Sequence, residues 1–431
     1  MTIAQPSHHG PWYRVDSAGT VFTATARKQA TTVFRLSATL TRPIQADLLQ
    51  QALEQILGRF PYFAVELRSG VFWSYFQPNA QSPRVLADSH YPCLNFPTRG
   101  KGHYPFRVLA FHRRMAVEFT HAATDGSGAL AFLKSLLAQY LRLREGLDLS
   151  DCSDLMLPGQ TPDPEESQDG FRQHYRKRVP SSGVLPRAFQ VPYALDTGRV
   201  YHLTTGLIQV PELLTVAKGA GVSLTEWLAA TCLDTLQEIF ANWPKAQRKR
   251  HQRPICLDVP VNLRQAFPSK TMLNFFTTVS PSLDPRLGHY RFDEILKKVH
   301  HTLRVNLNDK ELSKAIARNV SARRHPLLRI IPFAIKDHVL PRIYQHWGIK
   351  KATCSLSNLG RVQLPPNLEP WVERFDFIPA YPNTRKVGCA CISFRDQLCL
   401  TFGRTIAEPT LEQGFFRRLT QQGIKVRIET N

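Results

Sequence analysis

The chain has 431 residues, a formal net charge of +21, 43% apolar residues and eight cysteines. That length exceeds what one hydrophobic core usually serves, so two units of about 200 residues each are expected. An ordinary apolar share excludes a disordered chain, and the lack of any run near 18 consecutive apolar residues excludes a helical membrane span.

In chain order, residues 1–19 lack the apolar core of an export signal, so a cytoplasmic protein is expected. Residues 34–37 read as a strand, and the spacing of Leu48, Leu49, Ala52, Leu53, Ile56 and Leu57 predicts a helix over 45–57 that ends near Phe60-Pro61. Segment 115–120 alternates apolar and polar residues as a half-buried strand does, and Ala129, Leu130, Leu133, Leu136, Leu137 and Tyr140 predict a helix over 127–140. Between them stands His121-Ala122-Ala123-Thr124-Asp125-Gly126. A side chain at such a strand-to-helix junction faces the mouth of a cleft, and Gly126 permits a sharp turn and close backbone approach.

From 151 to 193 the composition shifts to Pro, Gly, Ser, Gln and charge, which reads as a crossover linker. Ser223-Leu224-Thr225-Glu226 is a capping box opening a mostly buried helix through Leu236. Basic residues over 245–253 lead into a strand over 254–261, then a helix over 292–307 and strands over 352–357, 387–394 and 397–402. This alternation predicts α/β layering. The cysteines form no C-x-x-C pair and have no His at metal-ligand spacing, so they read as buried thiols and no metal site is expected.

Two later stretches join the H-x-x-x-D-G segment: Asp258-Val259-Pro260-Val261-Asn262-Leu263-Arg264 with Leu273-Asn274-Phe275-Phe276 behind it, and Ser355-Leu356-Ser357-Asn358-Leu359-Gly360. In this order they make the chain resemble the chloramphenicol acetyltransferase-like acyltransferase superfamily, most of all its alcohol acetyltransferase and condensation-domain-like branch. The resemblance implies two chloramphenicol acetyltransferase-like subdomains, each a mixed sheet with flanking helices, with an active-site channel between them. The N-terminal subdomain would span 1–150, the crossover linker 151–195 and the C-terminal subdomain 196–431, which lends a crossing strand. It further implies transfer of an acyl group from acyl-CoA or an acyl carrier protein to a hydroxyl or amine, with the thioester as co-substrate and no tightly bound cofactor.

That chemistry needs a base to take the acceptor's proton, and an imidazole of unperturbed pKa about 6.5 suits it, so His121 is assigned the role. The lack of a G-x-S-x-G elbow argues against a covalent serine mechanism. Asp125 either orients the imidazole or, as the resemblance implies, points away and pairs with an arginine, with Arg264 as the candidate. Gly126, Ser355, Ser357 and Asn358 are candidate donors to the oxyanion, and Asn274 a candidate lining residue on the acceptor side. Thr120 stands where condensation domains carry a first His, and no D-F-G-W-G follows, only Asp376-Phe377-Ile378-Pro379.

Basic clusters over 172–178, 245–253 and 318–329 suit the phosphates of coenzyme A or an acidic carrier protein, with a small-molecule or lipid-like acceptor. An anionic membrane surface is a further match. No nucleic-acid-binding signature accompanies the charge. The rival readings are a catalytically silent binding or scaffold relative, and a basic nucleic-acid or membrane-surface protein.

Overall fold

Two mixed sheets carry the chain in the computed structural model, which describes residues 12–25, 31–180, 187–198, 200–324, 331–332, 335, 351–380 and 386–431. The N-terminal reading over 1–11 and the basic cluster beyond 324 lie outside the described residues.

The first half opens with β1 (Tyr13–Arg14) and α1 (Gly19–Thr25). Strand β2 (Val33–Leu40) leads to α2 (Ala46–Leu57), which buries Leu49, Ala52, Leu53 and Ile56. A hairpin of β3 (Val65–Ser69) and β4 (Ser74–Pro78) pairs with β1 in a small three-stranded sheet. Next come β5 (Val85–Ala87), β6 (Phe106–Phe111) and β7 (Arg114–Thr120), and then α3 (Gly126–Glu145). Helix α3 outruns the predicted 127–140 and stops at Gly146, whose φ of 68° is a left-handed conformation that costs glycine nothing.

The stretch expected as a linker is packed: Glu166 is buried, and α4 (Gly170–Gln173) inserts Phe171 among Leu263, Phe275 and Ile316. Beyond it run β8 (His202–Gln209), α5 (Val210–Gly219), α6 (Leu224–Ala241) and α7 (Lys245–Arg250). The capping box of Ser223 and Glu226 forms at the start of α6. Strands β9 (Ile255–Asn262), β10 (Phe276–Val279) and β11 (Ser282–Leu283) precede α8 (Phe292–Asn306) and α9 (Asp309–Arg324). The chain ends with β12 (Cys354–Val362), β13 (Val372–Ile378), β14 (Val387–Phe394), β15 (Gln397–Arg404), α10 (Thr410–Gln421) and β16 (Val426–Thr430).

The larger sheet runs β10-β9-β12-β14-β15-β8-β16, with β11 also on β9, and is mixed because β12 lies parallel to both β9 and β14. The other sheet runs β13-β2-β7-β6-β5, with β5 parallel to β6. Its edge strand β13 comes from the second half and pairs antiparallel with β2, so Phe375 and Phe377 join the core of the first half. Ala390, Ile392 and Phe394 of β14 enter the same core, which therefore spans both halves. All eight cysteines are free and buried, and no described helix is long and apolar enough to cross a membrane.

One sequence expectation about this sheet needs correction. β7 is buried on both faces, not half-exposed, and Glu118 is fully buried. Arg35 Nε lies 2.7 Å from Glu118 Oε1 and Arg107 Nε 2.6 Å from Oε2, so the polar face of the strand is covered by ion pairs in place of water.

Candidate active site

His121 follows directly on β7, and its backbone N–H bonds Thr32 O at 3.0 Å, so it is held at the end of a central strand. The imidazole lies between two phenyl rings, Phe22 at 4.8 Å and Phe34 at 4.4 Å between centroids, with Phe276 at 6.0 Å. Its Nδ1 lies 3.2 Å from Thr124 O. A carbonyl only accepts, so Nδ1 carries the hydrogen of the neutral ring and Nε2 keeps the basic lone pair. Burial among the aromatic rings lowers the His121 pKa to about 4, against opposing pulls from the Asp125 charge and from hydrogen bonds. The ring is therefore neutral throughout the physiological range.

Asp125 makes no hydrogen bond to the imidazole. It is the N-cap of α3, where Oδ1 accepts from Ser127 N at 3.1 Å and Gly128 N at 3.2 Å. Its Oδ2 accepts from Arg264 Nη1 at 2.8 Å and from Phe275 N at 2.9 Å. Both oxygens are thus engaged, and the Thr124 carbonyl takes the place a triad carboxylate would occupy. Arg264 also donates to Thr271 O and Leu273 O, so one guanidinium ties the N-terminus of α3 to the 271–275 segment of the second half.

That segment clamps the loop at two more points. Thr124 Oγ1 donates to Met272 O at 2.6 Å, and Asn274 Nδ2 donates to His121 O at 2.9 Å. The same Asn274 Nδ2 reaches Asp16 Oδ2 at 2.9 Å. Asn274 is fully buried, with its side chain on the His121 carbonyl and close enough to the imidazole to act on its pKa. Asp16 was not singled out in the sequence, because an isolated acid near a terminus carries no spacing signal. Burial, reinforced by the nearby charge of Asp169, raises its carboxyl to about 7.

Gly126 is the first residue of α3, and the carbon that any other side chain would add there would lie 2.6 Å from Leu359 Cδ2. Gly128 is tighter still, 2.3 Å from the Met272 carbonyl oxygen, so the glycine the spacing did not flag is the stricter requirement. Its backbone contact cannot rotate aside as a leucine methyl can.

Ser355, Ser357 and Asn358 all lie on β12, next to β14 and β9. Leu359, two residues after Ser357 on β12, lies against Gly126, so this part of the strand runs past the start of α3. Asn358 departs from the expected donor role. Its Nδ2 bonds Thr225 Oγ1 at 2.9 Å and its Oδ1 accepts from Gly360 N at 2.8 Å, which holds the amide at the register shift within β12. Ser355 lies farther along the strand, with Oγ against Gly388. Two open cavities, of about 450 and 340 Å³, lie elsewhere, and neither is lined by His121. Among the described residues no group of three or more His, Cys, Asp or Glu is placed to hold a metal ion.

No protein-family model and no curated protein matches the chain. Among solved structures, it is similar to polyketide synthase associated protein 5 from Mycobacterium tuberculosis, at 16% identity over 95% of this chain and 98% of that one, with a TM-score of 0.59. It is similar to TRI101 of F. graminearum, solved with coenzyme A and deoxynivalenol, at 11% identity over 97% and 100% of the two chains, with a TM-score of 0.62. The epimerization domain from the third module of tyrocidine synthetase B matches at 11% identity over 96% of each chain, with a TM-score of 0.59. The chain therefore has the two-lobed α/β fold of these structures over nearly its whole length.

Proposed function

We propose that the protein transfers an acyl group from a thioester, acyl-CoA or an acyl carrier protein, to a hydroxyl or amine, forming an ester or amide. The observation that carries this reading is the placement of His121: Nδ1 lies 3.2 Å from the Thr124 carbonyl oxygen, which leaves Nε2 as the basic atom of the neutral ring. A base so prepared takes the acceptor's proton through Nε2 as the acceptor oxygen or nitrogen attacks the thioester carbon. The carbon–sulfur bond of the tetrahedral intermediate then breaks, and the imidazolium returns the proton to the leaving thiolate. No acyl-enzyme is required.

In this account Asp125, Arg264 and Asn274 are positioning residues that hold the His121 loop through its backbone and the α3 N-terminus. Oxyanion stabilisation falls to the Gly126 N–H, one of the donors a helix N-terminus leaves without an intrahelical partner, and to the Ser357 hydroxyl. The fold shared with TRI101, solved with coenzyme A, supports a CoA thioester as donor. The likeness to a tyrocidine synthetase domain keeps a carrier-protein donor under test.

The test is direct. The protein is incubated with short-, medium- and long-chain acyl-CoA, or with acylated carrier protein, and a panel of alcohols and amines, and the products are weighed by mass spectrometry. An acceptor gaining the mass of the acyl group, minus water relative to the free acid, is expected. Intact thioester with every donor and acceptor would refute the proposal in favour of a binding or scaffold role.

A further inference from the structure

The β3–β4 hairpin ends in an aromatic point that the fold leaves uncovered. Ser69 pairs with Ser74, and Gly70 N bonds Trp73 O at 2.8 Å, so Val71, Phe72 and Trp73 project from a closed tip. Val71 is 71% exposed and Trp73 58%. Trp12, 53% exposed, lies farther down the same sheet with its ring 6.2 Å from Tyr75 on β4. Three of the thirteen large apolar side chains exposed among the described residues sit on this tip and a fourth, Trp12, on the adjoining strand end, so the cluster is not the ordinary scatter of surface apolar groups.

Its collar is basic. Arg14 pairs in register with Tyr75 and places its guanidinium 5.8 Å from the Trp12 ring centroid, and Arg68 faces Tyr75 from β3. Gly100 N bonds Leu67 O at 3.1 Å, which brings the exposed Lys101 alongside the same strand. The one carboxylate on β1, β3 and β4 is Glu66, buried and bonded to Arg68, Gln77 and Gly102.

We infer that this hairpin tip, together with Trp12, docks the protein on an anionic lipid bilayer. Aromatic side chains on a narrow point suit the boundary between headgroups and acyl chains, and the arginines and lysine around it suit acidic headgroups. A protein partner fits less well, since a stable interface covers roughly 800 Å² on each side and a three-residue tip offers far less. The overall charge of +21 reinforces attraction to such a surface. The docking face is also joined to the candidate active site: two residues after β1, Asp16 bonds the Asn274 amide that holds the His121 carbonyl. Docking would thus bring the loop near lipid-borne substrates, although the inference stands without the acyl-transfer reading.

The experiment is co-sedimentation of the full chain with vesicles of phosphatidylcholine, with and without about one-third phosphatidylglycerol. The native protein should sediment with the anionic vesicles and much less with the neutral ones. Phe72→Ser/Trp73→Ser should weaken that binding roughly 30-fold. The conservative pair Phe72→Leu/Trp73→Phe should restore most of it, with unfolding temperature unchanged in both variants. Three results would overturn the inference: no native sedimentation, equal sedimentation of the serine variant, or a changed oligomeric mass in that variant with vesicle binding intact. The second would assign the binding to the basic surface as a whole, and the third would assign the tip to a contact between copies.

Discussion

At the residue scale the account turns on how an imidazole is kept neutral. A solvated His loses its base function below about pH 6.5, whereas His121, held near 4 by burial, stays unprotonated well below that. The acid limb of kcat/KM against pH should therefore lie at about 4, where that pKa falls. Phe22→Ala, which opens one face of the ring to water, should move that limb upward toward 6.5; a native limb near 6.5 would show that the ring is not so desolvated. Stability follows the same linkage. Between the unfolded pKa near 6.5 and the folded value, the unfolded chain binds the extra proton, so this site loses stability as pH falls through that window. Asp16, raised to about 7, acts in the opposite sense, because the folded state holds the proton there. His121→Gln removes only the first effect, and should shrink the loss of stability between pH 7 and pH 5 by about 2 kcal/mol, read from urea midpoints. The position of His121 was legible because its neighbours have strong periodicities. The rings that surround it were not, since Phe22, Phe34 and Phe276 come from three separate stretches and meet only in the fold.

At the scale of elements, the His121 loop is rigid because a segment about 150 residues away holds it through Thr124, Asp125 and the His121 carbonyl. Removing Arg264 leaves a buried carboxylate unpaired. Arg264→Leu should therefore cost about 3 to 5 kcal/mol of stability and lower kcat, while leaving the acid limb of the pH profile in place. Asp125→Asn, which removes the charge that pulls the His121 pKa up, should move the acid limb downward, and an unmoved limb would show that this carboxylate does not act on the ring. Glu118→Leu, which leaves Arg107 without its carboxylate and Arg35 with Asp88 alone, should also destabilise by about 3 kcal/mol in urea unfolding. The sequence marked the Asn262-Leu263-Arg264 run and Asn274, yet it could not say which side of the loop each supports. Alternation likewise placed Glu118 on a polar face without revealing that β2 and β6 cover that face with arginines.

Across the whole molecule, the crossing strand β13 makes the two halves one unit: it completes the first sheet and lets β14 share its core. The order of strands and helices was legible because each element keeps a clear period. The packed crossover was not, because its Pro and Gly content looks like a linker until Glu166 meets Arg59 at 2.6 Å and Phe171 meets Phe275. The positive charge makes a further prediction: an anionic donor should lose kcat/KM by about tenfold between low and high salt, with kcat little changed. Salt-independent kinetics would detach the charge from donor capture and leave the lipid surface as its counterpart. The central claim is tested most directly by the rate of free-thiol release from acyl-CoA, with and without acceptor, in the native protein and in His121→Ala. The account predicts acceptor-dependent release that falls roughly 100- to 10,000-fold on substitution; equal release from both proteins would remove His121 from the chemistry.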